Sequence, residues 1–262
     1  HTWTWALVLS PQGHVEHAFA GFDELPADTF EHVRLALSGA SRLSPAVAER
    51  FEERFGLPIR EGYGLTEAAP VVTSSAGAPV RYGSVGRVLV GQSVRLVGDD
   101  GDDVPAGDAG EIWVAGSNVF QGYWHDEEAT ARVLVDGWLR TGDIATVDAD
   151  GYLYLVDRAK DLIIVSGFNV YPAEVEEVLA MHPAVEEVGV VGVPHPHHGE
   201  AVKAYVVCRA GAAVDEDALI DHCADHLARY KCPTKIVFVD QLPRNASGKL
   251  IRRELDGTVI GA

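Results

Sequence analysis

Residues 83–157 break into short β-forming runs punctuated by tight polar turns. The run 94–97 leads into Asp99-Asp100-Gly101. Residues 111–115 form a second run, and 144–147 leads into Asp148-Ala149-Asp150-Gly151 before a last run at 152–156. Asp and Gly accept the backbone angles that reverse a chain in two to four residues. Strands this short and this close together predict a small β-barrel-like or sandwich unit. One helix, near residues 127–134 with Asp126 as its N-cap, interrupts the series.

The texture differs on either side. Residues 33–40 predict a buried strand running into a glycine turn. Ser44-Pro45 then opens a helix, with serine as N-cap and proline at the first helical position, and Gly56 closes it. Val47, Phe51 and Phe55 recur at i+4 and give that helix an apolar stripe. Residues 59–61 predict another short strand, so this part reads as the end of an α/β subdomain. Beyond Asp161 come a strand at 162–165, a helix from Pro172 to about Met181 and strands at 188–193 and 202–208. A helix at 216–229 and a strand at 236–239 complete a compact α+β unit. The fold class is therefore α/β and α+β multidomain. The segments are 1–80 (partial α/β), 81–160 (β-barrel-like) and 161–262 (α+β), with a boundary at Lys160–Asp161.

Motifs able to carry chemistry fall in a fixed order. The first is Arg60-Glu61-Gly62-Tyr63-Gly64-Leu65-Thr66-Glu67. Glycines let backbone approach a ligand closely, and a flat aromatic stacks on a flat base. A threonine hydroxyl donates to a phosphate oxygen, and a glutamate holds a Mg²⁺ riding on phosphates. Next come Thr141-Gly142-Asp143, Asp157-Arg158-Ala159-Lys160-Asp161, Gly167-Phe168-Asn169-Val170-Tyr171-Pro172 and Arg244-Asn245-Ala246-Ser247-Gly248-Lys249. By itself Asp143 reads first as a solvated turn aspartate, Arg158 as a surface arginine, Lys160 as part of a charged linker and Lys249 as a solvated terminal lysine. His195, His197 and His198 crowd a Pro-rich loop and read as surface rather than as a metal site.

In that order and at those distances, the set resembles the adenylate-forming (AMP-binding) enzymes, over about residues 33–255. It is most like the C-terminal half of a bacterial fatty-acyl-CoA synthetase. The resemblance implies ATP-dependent, AMP-forming acyl-CoA ligation. A carboxylic acid, of fatty-acid type, reacts with ATP to give acyl-AMP, which CoA then converts to a thioester. ATP, Mg²⁺ and CoA are the implied cofactors and partners. Lys249, Thr66 and Glu67 are the implied catalytic residues, Glu67 also holding Mg²⁺. Gly39, Glu61, Gly62, Tyr63, Gly64, Thr66, Asp143 and Arg158 would bind the nucleotide. Gly167 would line the CoA path, and Lys160 would be the hinge of a mobile C-terminal domain. Ala40 stands where relatives often have glycine. Two alternatives stay open: a peptide-synthetase-type adenylation domain, and a non-catalytic AMP-binding remnant. The second arises because the Ser/Thr/Gly-rich phosphate loop of the family is not found in this sequence. The chain is accordingly expected to be a fragment and inactive alone.

Composition adds exclusions. A net charge of −18 over 262 residues argues against nucleic-acid backbones and anionic membranes as partners. It does not argue against a nucleotide, which needs only a few placed cations. Three cysteines, Cys208, Cys223 and Cys232, have no paired-ligand spacing. They read as reduced thiols of a cytoplasmic protein. No apolar run approaches the length of a membrane span.

Overall fold

The computed structural model describes residues 7–9, 15–18, 22, 25–39, 43–245 and 250–255. The chain splits into two compact units, Trp3–Leu155 and Val156–Ala262.

The first unit opens with β1 (Leu7–Leu9) and β2 (Val15–Ala18), an antiparallel pair. Next come β3 (Ala36–Ser38), α1 (Pro45–Phe55), β4 (Ile59–Gly64), β5 (Val71–Ser74) and β6 (Arg87–Val88). They build a sheet in the order β3-β4-β5-β6, with β3 parallel to β4 and the remaining pairs antiparallel. The predicted strand at 33–40 is shorter than expected and is not buried: Leu35 and Leu37 are 49% and 55% exposed. β3 is the outer strand of its sheet, and only one side of the segment is covered: Val33 and Ala36 pack against the core around Phe51, while Leu35 and Leu37 face away from it.

Helix α1 follows its punctuation. Pro45 sits in its first turn, and Gly56 ends it at φ +65°, a left-handed conformation that favours glycine. Ser44 occupies the N-cap position in extended backbone, yet its hydroxyl makes no capping bond. The stripe predicted from Val47, Phe51 and Phe55 packs into a core with Phe30, Leu43 and Ile59. There the Phe30, Phe51 and Phe55 rings lie 4.7–5.1 Å apart by centroid. Each buried phenylalanine contributes about 1.5–3 kcal/mol of transfer free energy, which makes this cluster the anchor of α1.

The second sheet of the unit is β7 (Gln92–Val97), β8 (Gly110–Gly116), α2 (Glu127–Val133), β9 (Leu134–Val135), β10 (Trp138–Val147) and β11 (Leu153–Arg158). The strand order is β11-β10-β8-β7, with β9 pairing β10. It is the short-stranded, half-barrel-like layer the turns predict. Asp126 caps α2 as expected, its carboxylate accepting the Ala129 N–H at 2.8 Å. Ala68, Val72, Ile112, Val114 and Leu139 form the fully buried floor beneath the sheet.

The second unit contains β12 (Ile163–Val165), β13 (Phe168–Val170), α3 (Pro172–Ala180), β14 (Val185–His195), β15 (Gly199–Cys208), α4 (Glu216–Ala224) and β16 (Lys235–Phe238). Their order is β13-β12-β15-β14, with β16 parallel to β15 on its other register. The helix predicted at 216–229 stops at Ala224, and a separate 3-10 turn at Arg229–Lys231 follows. Val175, Leu179, Val190, Val206, Leu219 and Ile236 form the unit's own core. The three cysteines are free thiols, and burial pushes the Cys223 thiol up to about 12. Among the described residues no helix is long and apolar enough to cross a membrane.

Candidate nucleotide-binding site

Strand β4 carries the Gly-Tyr-Gly motif, and alternation decides which side chains face inward. Glu61 and Tyr63 are buried. Both are pinned through the backbone to β5 and the residue after it: the Glu61 N–H donates to Ser75 Oγ at 2.9 Å and the Tyr63 N–H to Thr73 Oγ1 at 3.2 Å. The glycines have a steric reason. A Cβ on Gly62 would lie 2.9 Å from the Thr73 carbonyl oxygen, and one on Gly64 only 1.8 Å from that of Pro70. The close approach of β4 to its neighbour therefore requires glycine at Gly64.

Asp143 reaches the same place from the other sheet. The β8–β10 register breaks between Arg140 and Ile144. Gly142 takes φ +70° there, and its N–H donates to Glu111 Oε1 at 3.1 Å. Thr141 donates its hydroxyl to the Ile112 carbonyl at 2.8 Å and receives the Asp143 N–H at 3.1 Å. Such a bulge re-aims a side chain. The Tyr63 hydroxyl donates to Asp143 Oδ2 at 2.7 Å, joining two motifs eighty positions apart.

Past Gly64 the chain makes the 3-10 turn Thr66–Ala68. Thr66 is exposed and Glu67 half-buried. Glu67 accepts the Tyr123 hydroxyl on Oε1 at 2.7 Å, and its carbonyl accepts the Phe120 N–H at 2.8 Å. Among the described residues Oε2 of Glu67 takes no hydrogen bond or ion pair. An open carboxylate oxygen is a hard donor of the kind Mg²⁺ takes. That ion is commonly held by one or two carboxylates together with phosphate oxygens, not by an all-protein cage. Glu67 fits this pattern, and among the described residues no group of three or more His, Cys, Asp or Glu could hold a metal ion. The hydrogen bond to Glu67, and then partial burial, hold the Tyr123 hydroxyl above its ordinary value of 10.0, so it stays a donor at neutral pH. The sequence reading did not single out Tyr123 or Glu111; a Gly-Tyr pair at Gly122-Tyr123 was the available signal.

Gly39 lies just past β3, exposed, with nothing within 4 Å of a side chain added there. Arg158 and Lys160 belong to the other unit, Arg158 at the end of β11 and Lys160 exposed in the 3-10 turn Ala159–Asp161. Asp157 spans two elements, accepting the Arg158 N–H at 2.8 Å and the Ala173 N–H of α3 at 2.7 Å. Gly167 and Ser166 form the two-residue turn of the β12–β13 hairpin, both with positive φ (+84° and +52°). Both angles positive is the pattern of the turn that matches strand twist. Serine is held in it by His198, whose carbonyl accepts the Ser166 N–H and whose Nδ1 meets the Ser166 hydroxyl, each at 2.8 Å. His195 stacks on His198 at 4.6 Å, and His197 and His198 are exposed. Lys249 lies outside the described residues. Its flanks are tied down: Arg244 bridges Leu250, and the Ile251 N–H donates to the Pro243 carbonyl at 2.9 Å.

The architecture and motifs agree with direct comparison. Residues 6–124 match the AMP-binding enzyme family, and residues 174–249 match the AMP-binding enzyme C-terminal domain. The chain belongs to the AMP-binding enzyme family. Over 227 residues it is 49% identical to a long-chain-fatty-acid–CoA ligase of Yersinia pestis, covering 86% of this chain and 40% of that protein. It is 46% identical over 225 residues to a feruloyl-CoA synthase of an Amycolatopsis species, covering 85% of this chain and 46% of that one. Among solved structures it superposes on ATP-bound MatB from Rhodopseudomonas palustris with a TM-score of 0.84 and 40% identity, over 88% of this chain and 46% of that chain. The o-succinylbenzoate CoA synthetase of Bacillus subtilis, in complex with its acyl-adenylate intermediate, matches at TM-score 0.79 and 38% identity, over 88% and 48%. The chain thus spans less than half the length of these relatives.

Proposed function

We propose that this chain is a portion of an acid–thiol ligase that activates a carboxylic acid with ATP and transfers the acyl group to CoA. The observation that carries the reading is the Tyr63–Asp143 hydrogen bond at 2.7 Å, which brings an aromatic ring and a carboxylate from separate sheets to one place. A base and a ribose ask for that pair: a flat surface to stack on and an acceptor for hydroxyls.

In the first step a carboxylate oxygen of the acid attacks the α-phosphorus of ATP. The new O–P bond forms as the bond to pyrophosphate breaks, leaving acyl-AMP. In the second, the CoA thiol attacks the acyl carbonyl. The C–S bond forms, the thiol proton passes to solvent, and AMP leaves. Tyr63 stacks on the base, and Gly39, Glu61, Gly62 and Gly64 keep the backbone close to it. Thr66 donates to a phosphate oxygen; Asp143 and Arg158 take the ribose hydroxyls. Glu67 would hold Mg²⁺, which when bound offsets the charge on the phosphates. Lys249 supplies a cation for the charge that builds on the shared oxygens during adenylation. Gly167 leaves room for pantetheine, and Lys160 is the hinge of segment 161–262.

A fatty acid is the favoured substrate class, because the long-chain ligase relative is somewhat more similar than the feruloyl one. Turnover across a panel of fatty and aromatic acids, by a full-length enzyme containing this sequence, tests that choice. The nucleotide assignment is tested by calorimetric titration of AMP into the chain. Asp143→Asn is expected to weaken binding about 10- to 100-fold, the equivalent of losing a hydrogen bond to a charged group. Tyr63→Phe is expected to weaken it less. Equal affinity in wild type and Asp143→Asn would remove the ribose assignment.

A further inference from the structure

The residues between β8 and α2 grip the Thr66–Ala68 turn at three points. Asn118 Nδ2 donates to the Ala68 carbonyl at 2.7 Å, and the Phe120 N–H donates to the Glu67 carbonyl at 2.8 Å. Those two bonds hold backbone. The third, from the Tyr123 hydroxyl to Glu67 Oε1 at 2.7 Å, goes to the carboxylate itself.

The phenol is delivered with little freedom. Its ring meets Phe120 edge-on at 4.9 Å. Its N–H donates to Thr130 Oγ1 at 2.9 Å, and Tyr123 bridges Asp126, the cap of α2. Gly122 before it takes φ +143°, and a Cβ there would lie 2.7 Å from Thr130 Cγ2. A tight turn against the first helical turn thus fixes where the hydroxyl points. The result is a carboxylate with one oxygen occupied by a neutral donor and the other open.

We propose that Tyr123 is a positioning residue for Glu67: its hydroxyl occupies Oε1 and fixes the carboxylate, leaving Oε2 to a divalent cation carried on the nucleotide phosphates. This rests on the nucleotide reading above. Partners that orient a metal-binding carboxylate typically change metal affinity about 10- to 100-fold when removed. The competing account is a half-exposed tyrosine that merely packs. It would alter stability and leave the metal dependence of binding untouched.

The experiment uses the 262-residue chain. ATP binding is measured by calorimetry with Mg²⁺ and again with EDTA, for wild type, Tyr123→Phe, Glu67→Gln and the double variant. Mn²⁺ in place of Mg²⁺ gives a second readout, the loss of the free-ion paramagnetic resonance signal. Tyr123→Phe is expected to weaken metal-loaded ATP about 10-fold while metal-free ATP binds as in wild type. Glu67→Gln should abolish the advantage of metal, and the double variant should match Glu67→Gln, the non-additivity expected of one coupled unit. Thermal unfolding checks that each variant folds. Tyr123→His, which keeps a ring donor at shorter reach, is the second variant and is expected to show the same selective loss. Equal weakening of both ATP forms, or a Tyr123 effect that persists with Gln at position 67, overturns the proposal. ATP binding without any metal advantage in wild type overturns it while leaving the nucleotide reading standing. No ATP binding in either form removes both.

Discussion

Two single substitutions separate the two chemical steps. Losing a transition-state cation costs about 10²–10³ in rate, so Lys249→Ala, in a full-length enzyme containing this sequence, should slow acyl-AMP formation by at least that factor. Supplied with ready-made acyl-AMP and CoA, the same variant should still make thioester. Gly167→Leu should do the reverse, because a side chain at φ +84° both strains the turn and fills the space proposed for pantetheine. Timing each half-reaction in both variants is the measurement. Equal damage to both steps in both variants would rule out the division of labour. At single positions the sequence was informative about chemistry and mute about partners. Spacing singled out Tyr63 and Asp143, but not that one donates to the other, since that bond depends on a bulge at Gly142. Tyr123 is not legible in the sequence, because a tyrosine in a loop has no periodicity to distinguish it.

Helix α4 illustrates how a secondary-structure element is tied to its sheet. Glu216 in its first turn accepts the Ile236 N–H of β16 at 2.9 Å and pairs with Lys235 Nζ at 2.8 Å. The hydrogen bond from Lys235, and then that from Ile236, hold the Glu216 carboxyl below its ordinary value of 4.5. In the relevant window the unfolded chain binds more protons than the folded one, so stability rises with pH there. The contribution is present in full above about pH 4.5 and is lost as pH falls through the folded value. Glu216→Gln should therefore lower the urea midpoint at pH 7, and its curve should converge on wild type as the pH is taken progressively below 4.5; parallel curves would contradict this. Elements with strong punctuation were legible: α1 lies between Pro45 and Gly56 as read. The sequence pattern ends this strand at Glu61, short of the observed Gly64, because Gly62 and Gly64 suppress strand propensity. Only the approach of Thr73 and Pro70 explains why glycine stands inside a strand. The exposure of Leu35 and Leu37 is illegible for the opposite reason, since an apolar run looks buried on both sides even where only one side meets a core.

The two compact units have separate interiors, one centred on Ile112 and Val114, the other on Val190 and Val206. A segment with its own core is expected to fold by itself. Residues 156–262 expressed alone should unfold in urea in a single cooperative transition with dispersed amide resonances. A gradual transition with dye-accessible apolar surface would show that the core needs the rest of the chain. The division between the units falls inside a strand, β11, Leu153–Arg158. Recombination between relatives is therefore constrained at this point in a way that overall identity does not reveal. A crossover near Leu155 exchanges one interior for another. It inherits half a strand from each parent, however, and a shift of one residue would turn every later side chain of that strand to the wrong face.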